Sequence, residues 1–138
     1  MRASFSVLVD LVRRAAWAPL LVFAIHLFLS RGFDAYRERP WLDIPMHLAG
    51  GVAIAFCLCV TLRVLQEHEL VERTGPRIRF ILVLALTGCA ALFWEFAEFT
   101  TDQLGLTRAQ AGLEDTLLDM LLGLVGGLLF LTLLARRS

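Results

Sequence analysis

From Phe80 to Trp94 the chain is apolar apart from Thr87 and Gly88, and it then closes on two carboxylates, Glu95 and Glu98. A helix needs about 20 apolar residues to cross a bilayer core at about 1.5 Å rise per residue, so this run is too short on its own. To span, it must continue to about Phe99. Glu95 then lies roughly 6 Å inside the hydrocarbon edge, with Glu98 nearer the surface. An ionisable group at that depth marks a functional site by default, and its partners must come from elsewhere in the chain.

The remaining sequence fits a membrane reading. Of the 138 residues, 58% are hydrophobic, against roughly 45 to 50% in a soluble domain, and mean hydropathy is +0.71. The expected fold is one all-α membrane domain over residues 1–138. Four transmembrane helices, at about 15–30, 43–65, 79–101 and 113–135, form a compact antiparallel bundle. The opening stretch, MRASFSVLVDLVRR, is amphipathic and leads into the first apolar run. No small-x-small cleavage pattern follows Ser30, so that run reads as a retained helix rather than a signal peptide. Tyr36 and Trp41 suit a loop at headgroup level, and Gly75-Pro76 marks the turn of a charged, solvated connection holding Glu67, His68, Glu69 and Glu72. All thirteen basic residues are Arg; the absence of Lys excludes Schiff-base chemistry and a Walker-type phosphate loop. Cys57, Cys59 and Cys89 lack metal-ligand spacing and read as small core residues. Nothing points to nucleic acid or to an organic cofactor.

Orientation follows from the Arg count. Nine, namely Arg2, Arg13, Arg14, Arg63, Arg73, Arg77, Arg79, Arg136 and Arg137, fall on the side of both termini; Arg31, Arg37, Arg39 and Arg108 fall opposite. The positive-inside rule places both termini in the cytoplasm. Four acidic residues accompany the nine Arg and nine accompany the four, so a net charge of zero conceals about +5 inside and −5 outside.

In this topology the intramembrane polar residues share the outer slice: His26 on the first helix, Asp43 and His47 on the second, Glu95 and Glu98 on the third, Asp115 and Asp119 on the fourth. The i,i+4 and i,i+3 spacings place each pair on one helix face. Each stripe continues inward as small residues, Gly50 and Gly51, Ala91 and Gly88, Gly123 and Gly126, which let helices approach closely. Five carboxylates beside one or two imidazoles cannot all remain charged and unpaired there. Loop Arg, shared protons or a divalent cation must neutralise them. For a cation the oxygen-rich set suits Mn²⁺, Mg²⁺, Ca²⁺ or Zn²⁺, with His47, Glu95, Asp119, His26 and Asp43 as candidate ligands. Asp43 and Asp115 have a simpler reading as helix-start residues. His26, alone on an apolar face, has one as a hydrogen-bonded packing residue.

Asp43-x-x-x-His47, Glu95-x-x-Glu98 after an aromatic, and Asp115-x-x-x-Asp119-x-x-x-Gly123 follow one another as in the VanZ-like family of small bacterial membrane proteins, which the chain resembles from Asp43 to its C-terminus. That family often carries Gln where this chain has Glu98 and Asn where it has Asp119, so the extra acidity favours a cation or proton site. The resemblance implies a cell-envelope setting in the bacterial inner membrane, with some relatives linked to glycopeptide resistance.

Two classes of function follow. In one, a metal on His47, Glu95 and Asp119 activates water against an envelope lipid or glycan intermediate, with Glu98 or Asp115 as general base. In the other, the cluster binds a cation or proton, or holds the bundle together, without catalysis. Membrane lipid is the expected partner in both, and a transport role would require oligomerisation.

Overall fold

The computed structural model describes residues 2–32 and 35–136, and side chains over 5–30 and 35–136. The Arg2, Arg31 and Arg137 side chains used in the charge count, and Asp34, lie outside that set. The order is α1 (Arg2–Arg14), α2 (Trp17–Leu27) continuing into a π-helical turn (Phe28–Gly32), a short α3 (Ala35–Glu38), a 3-10 turn (Pro40–Leu42), α4 (Asp43–Glu67), α5 (Pro76–Gln103) and α6 (Leu113–Ala135). No strand is present among the described residues. α4 with its leading 3-10 turn, α5 and α6 are long and apolar enough to cross a membrane, while Trp17–Ser30 is apolar but shorter. The segment expected as one helix over 15–30 therefore starts at Trp17 and finishes in a wider turn. The loop expected over 31–42 contains helical turns of its own.

Local chemistry sets the ends. Pro76 opens α5 in the first helical turn, where its missing N–H costs nothing. α5 ends in a Schellman motif: Gly105 takes φ +69°, its N–H bonds to the Asp102 carbonyl at 2.9 Å, and the Leu106 N–H bonds to Thr101 at 2.9 Å. α4 ends the same way, but its left-handed residue is Glu69 at φ 58°.

α4 and α6 form the most extensive helix contact. A Cβ on Gly51 would overlap the Gly123 carbonyl, and one on Gly126 would overlap the Leu48 carbonyl and come within 3.0 Å of the Val52 nitrogen. Absent side chains thus set the spacing of this seam. α5 closes on the other side of α6, with Gly127 against Thr87 and Gly123 against Ala91. Ala55, Val83 and Leu131 form the buried core in the half of the bundle remote from His47. Leu92, Phe93, Leu117, Leu121 and Leu133 point outward, as a lipid-facing surface requires. Cys89 is exposed and Cys57 and Cys59 are half-buried, so Cys89 is not the core residue expected.

α1 is tied to the far end of α4. Arg14 pairs with Glu67 through two contacts, at 2.5 and 3.1 Å, and His68 Nε2 meets Asp10 Oδ2 at 2.9 Å. Glu67 and His68 are therefore not merely solvated connection residues. Phe5, Leu8 and Val12 form the exposed apolar side of α1.

Candidate functional site

The 3-10 turn of Pro40–Leu42 runs straight into α4, so the Asp43 N–H is already bonded to the Pro40 carbonyl. Leu42 occupies the cap position, with no side-chain cap bond. Asp43 is thereby not the N-cap that its sequence position suggests. Its carboxylate is free to face one turn along the helix, where Oδ1 lies 3.3 Å from His47 Nε2.

His47 is the hub. Its Nε2 also faces Asp119 Oδ1 of α6 at 3.8 Å, and its Nδ1 faces Glu95 Oε1 of α5 at 3.9 Å. Glu95 and Asp119 are each only 3% exposed. Both carboxylate oxygens of Glu95 are buried without a well-aligned hydrogen-bond donor among the described residues, and the Gln110 and Thr116 side chains are near enough to interact with them. A charged carboxylate in such a place is strongly unfavourable unless a proton or a partner neutralises it. Two sets of side chains gather ligand atoms within 4.8 Å of one another: Asp43, His47 and Asp119, and His47, Glu95 and Glu98. Both need His47, through different nitrogens. The side chains expected together from the sequence, His47, Glu95 and Asp119, do meet here, with Nε2 facing Asp43 and Asp119 and Nδ1 facing Glu95.

The other candidate residues sit around this hub. Glu98 Oε1 accepts a hydrogen bond from Trp94 Nε1 at 2.8 Å, which fixes the carboxylate beside the cluster. Asp115 accepts the Ala111 N–H at 3.1 Å, so its carboxylate serves the entry to α6. His26 belongs to neither ligand set. Its Nδ1 shares a hydrogen bond with the Tyr36 hydroxyl at 3.1 Å, and its ring stands edge-on to Trp94 at 5.2 Å. Burial, with Asp43 and Glu98 adding to it, pushes the Tyr36 phenol up to about 12, so it stays protonated.

Asp102, given no role from sequence, organises the connection to α6. It accepts from Thr107 Oγ1 at 2.5 Å and from the Ala109 and Gln110 N–H groups at 2.9 and 3.0 Å. The Gln110 amide is thereby led back over α5, donating to the Glu95 carbonyl at 3.4 Å and to Thr116 Oγ1 at 3.1 Å. The signal was an Asp followed by Gly105 and Thr107, an arrangement typical of side-chain-supported loops.

Compared with known families, residues 5–138 match DUF2238, described as a predicted membrane protein. The chain belongs to that family. The match makes it a membrane protein over nearly its whole length and does not extend to the VanZ-like resemblance of the motifs. No curated protein and no solved structure matches it.

Proposed function

We propose that this DUF2238 protein is a four-span protein of the bacterial inner membrane, VanZ-like in its motifs, which binds a divalent cation at the outer end of its bundle and acts there on an envelope lipid. The observation that carries the reading is the spacing around His47 Nε2, with Asp43 at 3.3 Å and Asp119 at 3.8 Å. Ligand atoms each about 2.1 Å from a common ion stand roughly 3 to 3.5 Å apart, so a small contraction completes three ligands. Glu95 has a separate part. A metal-ligating His ordinarily donates its other ring N–H to a carboxylate, and the buried Glu95 carboxylate faces Nδ1 at 3.9 Å. An ion would supply Lewis-acid polarisation and an activated water. Glu98, steadied by Trp94, is the residue in place to take a proton.

Four spans rather than three are supported by where the first segment begins and ends. Arg14 meets Glu67 at one end of α4, and His26 and Tyr36 lie near Asp43 and Trp94 at the other, so the segment between them runs the length of the bundle. An even number of crossings, taken with the Arg bias of the sequence, supports cytoplasmic termini.

The test is thermal unfolding of purified protein with Mn²⁺, Mg²⁺, Ca²⁺ or Zn²⁺ and then a chelator. Binding adds about 2.7 kcal/mol at a hundredfold excess over Kd. Asp119→Asn should abolish the gain, while Glu95→Gln should weaken it without abolishing it, because Glu95 orients His47 and does not ligate. No response in the parent, together with loss of stability in both variants, would reduce the cluster to an ion-paired seam between helices.

A further inference from the structure

Beside His47 a half-open recess of about 330 Å³ runs along α4, lined by residues of α2, α4, α5 and α6. Its wall is apolar, Leu20, Phe23, Met46, Ile54 and Ala90 among it, and His26 and His47 are at one end. Thr87 also reaches the wall, but its hydroxyl is already given to the Val83 carbonyl at 2.8 Å. Phe23 and His26 of α2 meet Trp94 of α5 at 5.9 and 5.2 Å, roofing the space near its polar end.

We propose that this space holds one alkyl chain of a membrane amphiphile, with the polar head at the Asp43–His47–Asp119 end. Three physical points lead there. A volume of about 330 Å³ corresponds to about eleven waters at ~30 Å³ each, yet each buried water needs two to four polar partners and the wall offers almost none. Left unfilled, a recess of that size would forfeit dispersion contact along its wall. The space also lies within the apolar depth of the bundle, where alkyl chains are the solvent. α2 packs on α4 and meets α5 through the Phe23 and Trp94 rings, so the α2–α5 side is the one closed only by side chains.

Gly50 distinguishes a built chamber from a packing defect. Gly51, its neighbour, is pressed against the Gly123 backbone, whereas a Cβ on Gly50 would meet nothing within 4 Å, and Gly50 lines the space. The glycine leaves the lumen open where helix packing does not require one. The assignment deepens the cation reading by naming its substrate class, and rests on it only for the position of the head.

The experiment uses full-length protein in phosphatidylcholine nanodiscs and dodecyl phosphate carrying a diazirine on its chain. Photo-adducts are expected on peptides holding Phe23, Ile54 and Ala90. Unlabelled dodecyl phosphate should compete at least ten-fold better than inorganic phosphate. Gly50→Leu, projecting into the lumen, should reduce those adducts at least five-fold while adducts on lipid-facing Leu117 and Leu121 persist; Ala90→Leu serves the same purpose should Gly50→Leu fail to fold. Adducts spread evenly over the lipid face and insensitive to both substitutions would overturn the chamber. Chamber adducts that respond to Gly50→Leu but not to Mn²⁺ or chelator would support the chain site and overturn the cation reading alone.

Discussion

Two adjacent glycines of α4 should respond in opposite directions to the same added methyl group. In Gly50→Ala the new Cβ meets nothing within 4 Å, so the helix gains only the intrinsic preference for Ala, up to about 1 kcal/mol. In Gly51→Ala the Cβ would overlap the Gly123 carbonyl and stand 3.0 Å from the Gly123 Cα. Backbone atoms cannot turn aside as a side chain does, so α4 and α6 must separate. Overpacking of this kind costs about 1 to 3 kcal/mol, and its upper end applies because the obstacle is backbone. Setting the propensity gain against it leaves about 2 kcal/mol of net destabilisation, and about 3 kcal/mol between the two variants. Gly51 lies one turn below His47, and Gly123 one turn below Asp119. Separation would therefore also lengthen the 3.8 Å gap from His47 Nε2 to Asp119 and weaken any cation-dependent gain. Reversible unfolding of both variants in mixed micelles, with and without Mn²⁺, measures both effects. If Gly51→Ala is as stable as Gly50→Ala, the α4–α6 seam is not as close as described, and the placement of Asp119 against His47 fails with it.

Orientation and the connection after α5 give two further predictions. With Cys57, Cys59 and Cys89 replaced by Ala, a single cysteine at Ala109 should react with an impermeant thiol reagent on intact cells and one at Glu72 should not; the reverse result would put the cluster on the cytoplasmic side. Asp102→Ala removes the acceptor of three hydrogen bonds and should cost about 1.5 to 3 kcal/mol, as expected for bonds to a charged group, with faster amide exchange over 103–112. Unchanged exchange there would mean that the connection is held by something else.

Much of the site was legible because helix geometry is rigid. Once the run ending at Trp94 had to extend to span a bilayer, the depth of Glu95 followed, and i,i+4 spacing put Asp43 with His47. The convergence of Glu95 and Asp119 on His47 rested on the same arithmetic applied to neighbouring helices. What sequence could not show is which ring nitrogen meets which carboxylate. That depends on interhelical distance and rotation, set here by Gly51 against Gly123 and Gly126 against Leu48. The capping reading of Asp43 fails because a 3-10 turn supplies its N–H with a partner before α4 begins, and turn type is poorly encoded in Pro40-Trp41-Leu42. Gly50 and Gly51 looked equivalent as neighbouring small residues, although their roughly 100° separation around the helix axis sends one to a cavity and the other to a backbone. Glu67 and His68 looked solvated because their partners, Arg14 and Asp10, are more than fifty residues away in sequence.

Access to the cluster can be argued from which of its sides are closed. Toward α6 the glycine seam brings backbone against backbone, and not even a methyl group fits there. Above Glu95 the connection pinned by Asp102 carries the Gln110 amide onto the Glu95 carbonyl and Thr116, covering that side. Toward α2, contact with α5 depends on the aromatic rings of Phe23, His26 and Trp94, and behind them lies the apolar chamber. Aromatic side chains rearrange by rotamer changes, whereas a glycine seam opens only if whole helices move. In the proposed four-span arrangement the easiest route for a chain-bearing molecule to His47 therefore runs through the bilayer between α2 and α5. A purely water-soluble reactant would have to cross hydrocarbon to take it. A reactant that brings its own alkyl chain would not, while a small ion can reach His47 past the Asp43 carboxylate, which is 27% exposed; for that reason the proposed amphiphile suits this route better than a free glycan.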